Sequence, residues 1–277
     1  MVNRKGGPAL VKKPRSGKAA GLFLQAAICL LAMNAAHGQS LSISQDNLIS
    51  RTSSEESSQP VSLEMPAAPN SSVPKAIVIG FVGGFAKRDD LKHPEVQFAA
   101  SLRQRYPSQV YAEVFSNHEG QRALRQVLRL LDADRDGALT PNEKEHAKII
   151  LYGHSWGASE TVAFAKELGE RGIPVLLTIQ VDSIKKPGQE DSMIPPNVAN
   201  AVNFYQPRGL LHGRPEISAA DPARTRIIGN FRMTYKGRPI DCRNYPWLAR
   251  TFNKPHHEIE NDPRVWNQAA SLIDSSL

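Results

Sequence analysis

The sequence predicts an α/β domain: a mostly parallel sheet with helices on both faces. Three observations predict it. Short, almost wholly apolar runs recur along the chain, as strands buried on both sides require, and segments with helical apolar spacing separate them. One such run, Ile149-Ile150-Leu151-Tyr152, leads straight into Gly153-His154-Ser155-Trp156-Gly157 and then into a helical pattern. Strand, tight turn and helix follow one another without a gap.

The stretch ahead of the domain reads as a leader. Arg4, Lys5, Lys12, Lys13, Arg15 and Lys18 precede an apolar run over 19–36, and Ala36-His37-Gly38 offers small residues at the two positions before a signal-peptidase cut. Cleavage after Gly38 is expected, giving a periplasmic or secreted protein. Gln25 and Asn34 interrupt the run and it is short for a spanning helix, so no stable membrane anchor is expected after cleavage. Residues 39–74, rich in Ser, Gln, Glu and Pro, read as a flexible linker. Residues 75–277 suit a single domain with a sizeable core.

Within that domain the elements follow in order. Residues 76–82 read as an apolar strand, 94–105 as a helix, 110–115 as a strand and 122–131 as an amphipathic helix with arginines outward. Residues 148–152 form the strand before the turn, and 159–168 the helix after it. Strands follow over 174–181, 198–205 and 226–235, and a closing helix over 263–273, with Asp262 before Pro263 as its N-cap. The segment between the last strand and the closing helix reads as a loop.

The formal charge of +7 falls to about +1 once residues 1–38 are set aside, because the leader carries basic residues and no acidic ones. A nucleic-acid partner loses its basic footprint. Cys29 goes with the leader, which leaves Cys242 alone as a small packed side chain, with no internal disulfide. The G-x-x-x-x-G-K-[ST] phosphate pattern is absent, so no organic cofactor is expected.

Residues 153–157 fit G-x-S-x-G, in which glycines two before and two after the serine allow backbone segments to approach where a side chain would clash. In this context the stretch resembles the nucleophile elbow of the α/β-hydrolase fold, of a compact kind similar to lipases and esterases. The resemblance implies a nucleophile, Ser155, followed in chain order by an acid and a histidine. Asp182, at the end of Val175-Leu176-Leu177-Thr178-Ile179-Gln180-Val181, is the acid candidate, one strand earlier than usual; the usual place holds Phe204-Tyr205-Gln206-Pro207 and no carboxylate. His256 is favoured as the base with His257 as the alternative, because Pro255-His256-His257-Glu258-Ile259 resembles the segment in which histidine precedes isoleucine by three residues. His212 reads as a polar loop residue. The oxyanion donors implied are the backbone N–H of Trp156 and the glycine-rich turn at Gly84 and Phe85. Trp156 beside the nucleophile and Trp247, Phe252 and Tyr245 before His256 suggest an apolar acyl pocket, with core packing as the equal alternative.

Asp132-Ala133-Asp134-Arg135-Asp136-Gly137-Ala138-Leu139-Thr140-Pro141-Asn142-Glu143 matches the EF-hand calcium loop at each defining position. Asp132, Asp134, Asp136 and Glu143 offer carboxylates, Ala138 a backbone carbonyl, and Thr140 a ligand through water. The exit helix is cut short by the next strand. A single EF-hand-like loop is therefore expected just before the nucleophile strand, holding structural calcium. The combined expectation is an exported serine hydrolase acting on a small-molecule or lipid ester. A thioesterase or amidase on the same triad, or a non-catalytic calcium-dependent binding module, remains open, and so does the oligomeric state.

Overall fold

A computed structural model describes residues 74–145 and 148–277 of the chain; the leader expected over 1–38, and all but the last residue of the linker expected over 39–74, lie outside the described residues. The elements are β1 (Ala76–Val82), α1 (Pro94–Arg105), β2 (Val110–Ser116), α2 (Gly120–Leu131), α3 (Pro141–Glu145), β3 (Ile149–His154), α4 (Trp156–Glu170), β4 (Val175–Val181), β5 (Met193–Ile194), β6 (Val198–Tyr205), β7 (Ser218–Ala219), β8 (Arg226–Arg232), α5 (Trp247–Phe252), α6 (Lys254–Glu260) and α7 (Pro263–Asp274).

Six strands form one sheet in the order β2-β1-β3-β4-β6-β8, and every neighbouring pair is parallel. The strands read as continuous apolar runs because both faces are covered. Along β1, Ala76, Val78 and Val82 face the layer containing Val96, Phe98 and Leu102 of α1 and Val265, Trp266 and Ile273 of α7. Ile77, Ile79 and Phe81 face the opposite layer, with Leu124 and Val127 of α2 and Val162, Phe164 and Leu168 of α4. The alternation is the period-two geometry of a strand applied to two apolar environments.

The chain runs outward from β1 to β2 on one side and from β3 through β4 and β6 to β8 on the other. The order therefore reverses between β1 and β3, and the crevice outside the carboxyl ends of strands at such a switch point is where open α/β sheets place their ligands. The turn at 153–157 emerges there.

The structure corrects one region. The segment read as a loop before the closing helix contains α5 and α6, and the last strand ends at Arg232. Pro246 caps α5 and Pro255 occupies the first turn of α6. Proline in those places needs no N–H partner, so it starts a helix instead of breaking one. Among the described residues no helix is long and apolar enough to cross a membrane.

Candidate active site

β3 delivers Ser155 into the turn with φ 57° and ψ −124°. That conformation is costly for a residue with a Cβ, on the order of 1–3 kcal/mol, and it persists only where the surroundings impose it. The two glycines show how. A Cβ on Gly157 would meet the Phe81 carbonyl oxygen of β1 at 2.0 Å, and one on Gly153 would meet the Gly157 carbonyl carbon at 2.5 Å. The turn is thus pressed against β1 and against itself. Ser155 N–H donates to the Val181 carbonyl (3.0 Å) and its own carbonyl accepts from Ile184 N–H (3.2 Å), which fastens the elbow to the end of β4.

Asp182 is the residue that follows β4, so these backbone bonds bring it beside the elbow. It too has positive φ, 45°, and its N–H donates to the Phe204 carbonyl at 2.7 Å. Its Oδ1 accepts from Gly213 N–H (2.7 Å) and Gln206 N–H (3.1 Å); its Oδ2 accepts from Gln206 Nε2 (2.9 Å) and lies 2.7 Å from His256 Nδ1. Both partners are buried. Donation from Nδ1 to the carboxylate leaves Nε2 of His256 with the lone pair a general base needs. Of the two adjacent histidines, the structure joins His256 to Asp182. His257 points elsewhere: its Nδ1 lies 3.4 Å from Glu260 and its ring stacks on Tyr245 at 4.1 Å.

Gln206 escaped the sequence reading. It stands at the strand end where the resemblance wants an acid, and with Gly213 it grips the acid supplied by the neighbouring strand. The only signal was its position.

The turn after β1 closes through the Ala86 N–H to the Gly83 carbonyl (3.1 Å), with Gly84 at φ 50°. Asn117 Nδ2 donates to the Gly84 carbonyl at 2.5 Å. In a trans peptide the next N–H points opposite to that carbonyl, so Asn117 fixes the direction of the Phe85 N–H away from itself. Trp156 is the first residue of α4, and its N–H is one of those a helix leaves without an internal partner. The Phe85 and Trp156 rings meet edge to face at 5.8 Å, joining the two segments.

Behind Ser155 lies a buried polar cluster that the sequence reading missed. The His154 ring packs on the His256 ring with centroids 4.5 Å apart. His154 Nδ1 stands 3.7 Å from Glu95 Oε1 and 3.6 Å from Glu260 Oε2, and His93 Nδ1 lies 2.8 Å from Glu260 Oε1. Burial resists charge on His93, but the hydrogen bond and charge of Glu260, helped by Glu95 and Asp90, outweigh it and raise its pKa to about 9. Glu95 goes up to about 8, first through burial and then through repulsion by Glu260, against the attraction of His93 and, after it, of backbone N–H groups. Burial pushes His154 down to about 3 against the attraction of Glu260. Glu260 is buried as well, yet its histidine neighbours hold it well below the usual carboxylate range.

The loop 132–143 lies at the other end of β3, about 20 Å of strand from Ser155. The carboxylates of Asp132, Asp134 and Asp136 gather with ligand atoms within 4.8 Å of one another. Gly137 turns at φ 85°, and Asp132 Oδ1 is buried with no hydrogen-bond partner among the described residues. Those features suit an oxygen-liganded cation. Glu143 differs: its oxygens accept from Ala133 N–H (2.7 Å) and from Thr140 N–H and Oγ1 (both 2.8 Å), while its N–H donates to Thr140 Oγ1. That is a capping box for α3, from which Glu143 would have to turn to chelate. Cys242 is buried and unpaired, and His212 is an exposed loop residue.

No known protein family matches the chain, and no curated protein matches it. Among solved structures, an iodinated complex of acetyl xylan esterase is similar with a TM-score of 0.35 at 12% identity, over 74% of this chain and 99% of that one. A second acetyl xylan esterase structure gives 0.36 and 12% over the same shares. Superposition at that level carries no conclusion about chemistry.

Proposed function

We propose that the chain is an exported serine hydrolase that cleaves carboxylic esters through an acyl-enzyme on Ser155. One observation carries the reading: the 2.7 Å pairing of His256 with Asp182 beside a serine held at φ 57° on a strand-to-helix turn. In the proposed reaction His256 Nε2 takes the Ser155 hydroxyl proton as Oγ attacks the carbonyl carbon. Asp182 keeps Nδ1 protonated and stabilises the imidazolium that forms. The carbonyl oxygen gathers negative charge between the N–H groups of Trp156 and Phe85, with Gly84 supplying the turn. His256 then returns the proton to the departing alcohol, and water, activated by the same histidine, releases the acid.

Exposed apolar side chains favour an ester with an apolar acyl part. Phe85 sits on the oxyanion turn, Leu210 on the loop that holds Asp182, and Trp247 and Phe252 on the helix just before His256. They lie at the surface and not in the core. Calcium, held by Asp132, Asp134, Asp136, the Ala138 carbonyl, Glu143 and a water on Thr140, would neutralise clustered carboxylates and steady the approach to β3. Its distance from Ser155 limits it to a structural part.

The test is hydrolysis of p-nitrophenyl acetate, butyrate and decanoate by wild type and Ser155→Ala, with labelling by a fluorophosphonate. Turnover and labelling lost together in the variant support the proposal. A folded wild type that neither turns over an ester nor takes the label refutes it.

A further inference from the structure

The cluster behind the nucleophile has no part in the acyl transfer just described, and as it stands its bonding is incomplete. Glu95 is wholly buried, and among the described residues neither of its carboxylate oxygens has a hydrogen-bond partner. Buried polar atoms left so cost on the order of 1–3 kcal/mol each, more for a charge. Such a concentration in one place points to a missing partner.

The spacings suggest which. Ligand atoms of His93, Glu95 and Glu260 lie within 4.8 Å of one another, and a contraction to about 3.3–3.4 Å would suit a tetrahedral ion with bonds of ~2.0–2.1 Å. His154 stands outside this set, its Nδ1 3.7 Å from Glu95 and 3.6 Å from Glu260, too far for hydrogen bonds. One imidazole and two carboxylates, with no thiolate, suit a borderline divalent ion and not calcium, which takes oxygen alone.

We propose that His93, Glu95 and Glu260 form a buried three-ligand site for a divalent transition metal, zinc foremost, that fastens the helix bearing His256 to the start of α1. A water completes the four-coordinate sphere. The ligands come from the start of α1 and the end of α6. Glu260 and His256 share α6, four residues apart, so an ion on Glu260 fixes the helix that presents the base. His93 is the only ligand of the three that is not fully buried, and it marks the path by which the ion enters.

Full-length protein is stripped with a chelator, dialysed, and titrated with ZnCl2 by calorimetry in excess Ca2+, with thermal melts and the visible spectrum of the Co2+ form recorded alongside. The expected result is one zinc per chain, a raised Tm and the d–d absorption of tetrahedral Co2+. His93→Ala and Glu95→Gln should each weaken binding by more than ~100-fold, whereas Glu143→Gln, in the loop before β3, should leave it unchanged. Circular dichroism establishes that each variant is folded. Folded wild type that takes up no zinc, or zinc held equally by both ligand variants, would overturn the site. The wild-type titration and Co2+ spectrum decide the matter even where a variant fails to fold, and none of these readouts depends on ester hydrolysis.

Discussion

Asp182 shows how a single side chain is held for a task. Four hydrogen bonds converge on it, and a Cβ on Gly213 would stand 2.5 Å from its Oδ1 and 2.6 Å from its Cα. Gly213→Ala must displace the acid and with it the ring of His256. A misplacement near 1 Å costs about 10²-fold, so kcat on a p-nitrophenyl ester should fall by that order with KM little changed. Asp182→Asn, which leaves the shape but removes the charge, should cost ~10⁴. Full activity in Gly213→Ala would mean that Asp182 does not orient the base. Cys242 offers a second check at this scale. Burial, then the negative charges of Glu258 and Glu260, push its thiol up to about 12, so the thiolate is scarce at neutral pH. Ellman's reagent should leave the native protein unmodified and react with one thiol in the described domain only after unfolding. Rapid reaction of Cys242 in the native state would contradict its packing. The candidate residues Ser155, Asp182 and His256 could be picked out of the sequence because each sits at a local landmark: an elbow, a strand end, a segment before a helix. Gln206 and the His93, Glu95 and Glu260 cluster could not, because 167 residues separate His93 from Glu260 and only the tertiary fold brings them together.

At the scale of elements, the strands were legible because a two-faced parallel sheet writes an apolar run into the sequence wherever a strand passes. The two short helices α5 and α6 were not. Seven residues or fewer hold too little periodicity to register, and Pro246, Asn253 and Pro255 look like loop punctuation when they serve as helix starts. The closing helix α7 was legible from its cap. Asp262 accepts from Arg264 N–H at 2.9 Å, and its Oδ2 also accepts from the Tyr235 hydroxyl at 3.0 Å. Asp262→Ala removes the cap and strands a buried hydroxyl. The two losses together predict a destabilisation of about 2 kcal/mol. The exposed Arg264 adds little to that. Urea unfolding should show a lower midpoint with an unchanged slope, and Asp262→Asn should recover much of the difference. An unmoved midpoint in Asp262→Ala would mean that α7 is held by the packing of Val265, Trp266 and Ile273 alone.

Over the whole molecule, β3 links two sites of different character. It starts at Ile149, a short way along the chain from the acidic loop 132–143, and its last residue precedes Ser155, so an ion bound by the loop can steady the approach to the strand without touching the chemistry at the other end. Without a cation, three carboxylates face one another within 4.8 Å, and their repulsion weakens the native state. Calcium that binds only the folded chain stabilises it by mass action, about 2.7 kcal/mol at a hundred times Kd. For a domain of this size that corresponds to a rise in Tm of roughly 5–10 °C. Differential scanning calorimetry in calcium and in chelator should show that rise, and Asp134→Asn with Asp136→Asn should abolish it. The initial rate of ester hydrolysis, measured well below the melting range, should be the same in both conditions. Should Tm stay fixed on calcium addition, the loop is only a capped turn, with Glu143 committed to α3. If instead the rate falls in chelator while Tm holds, the ion acts at the reaction centre, against the separation that β3 imposes.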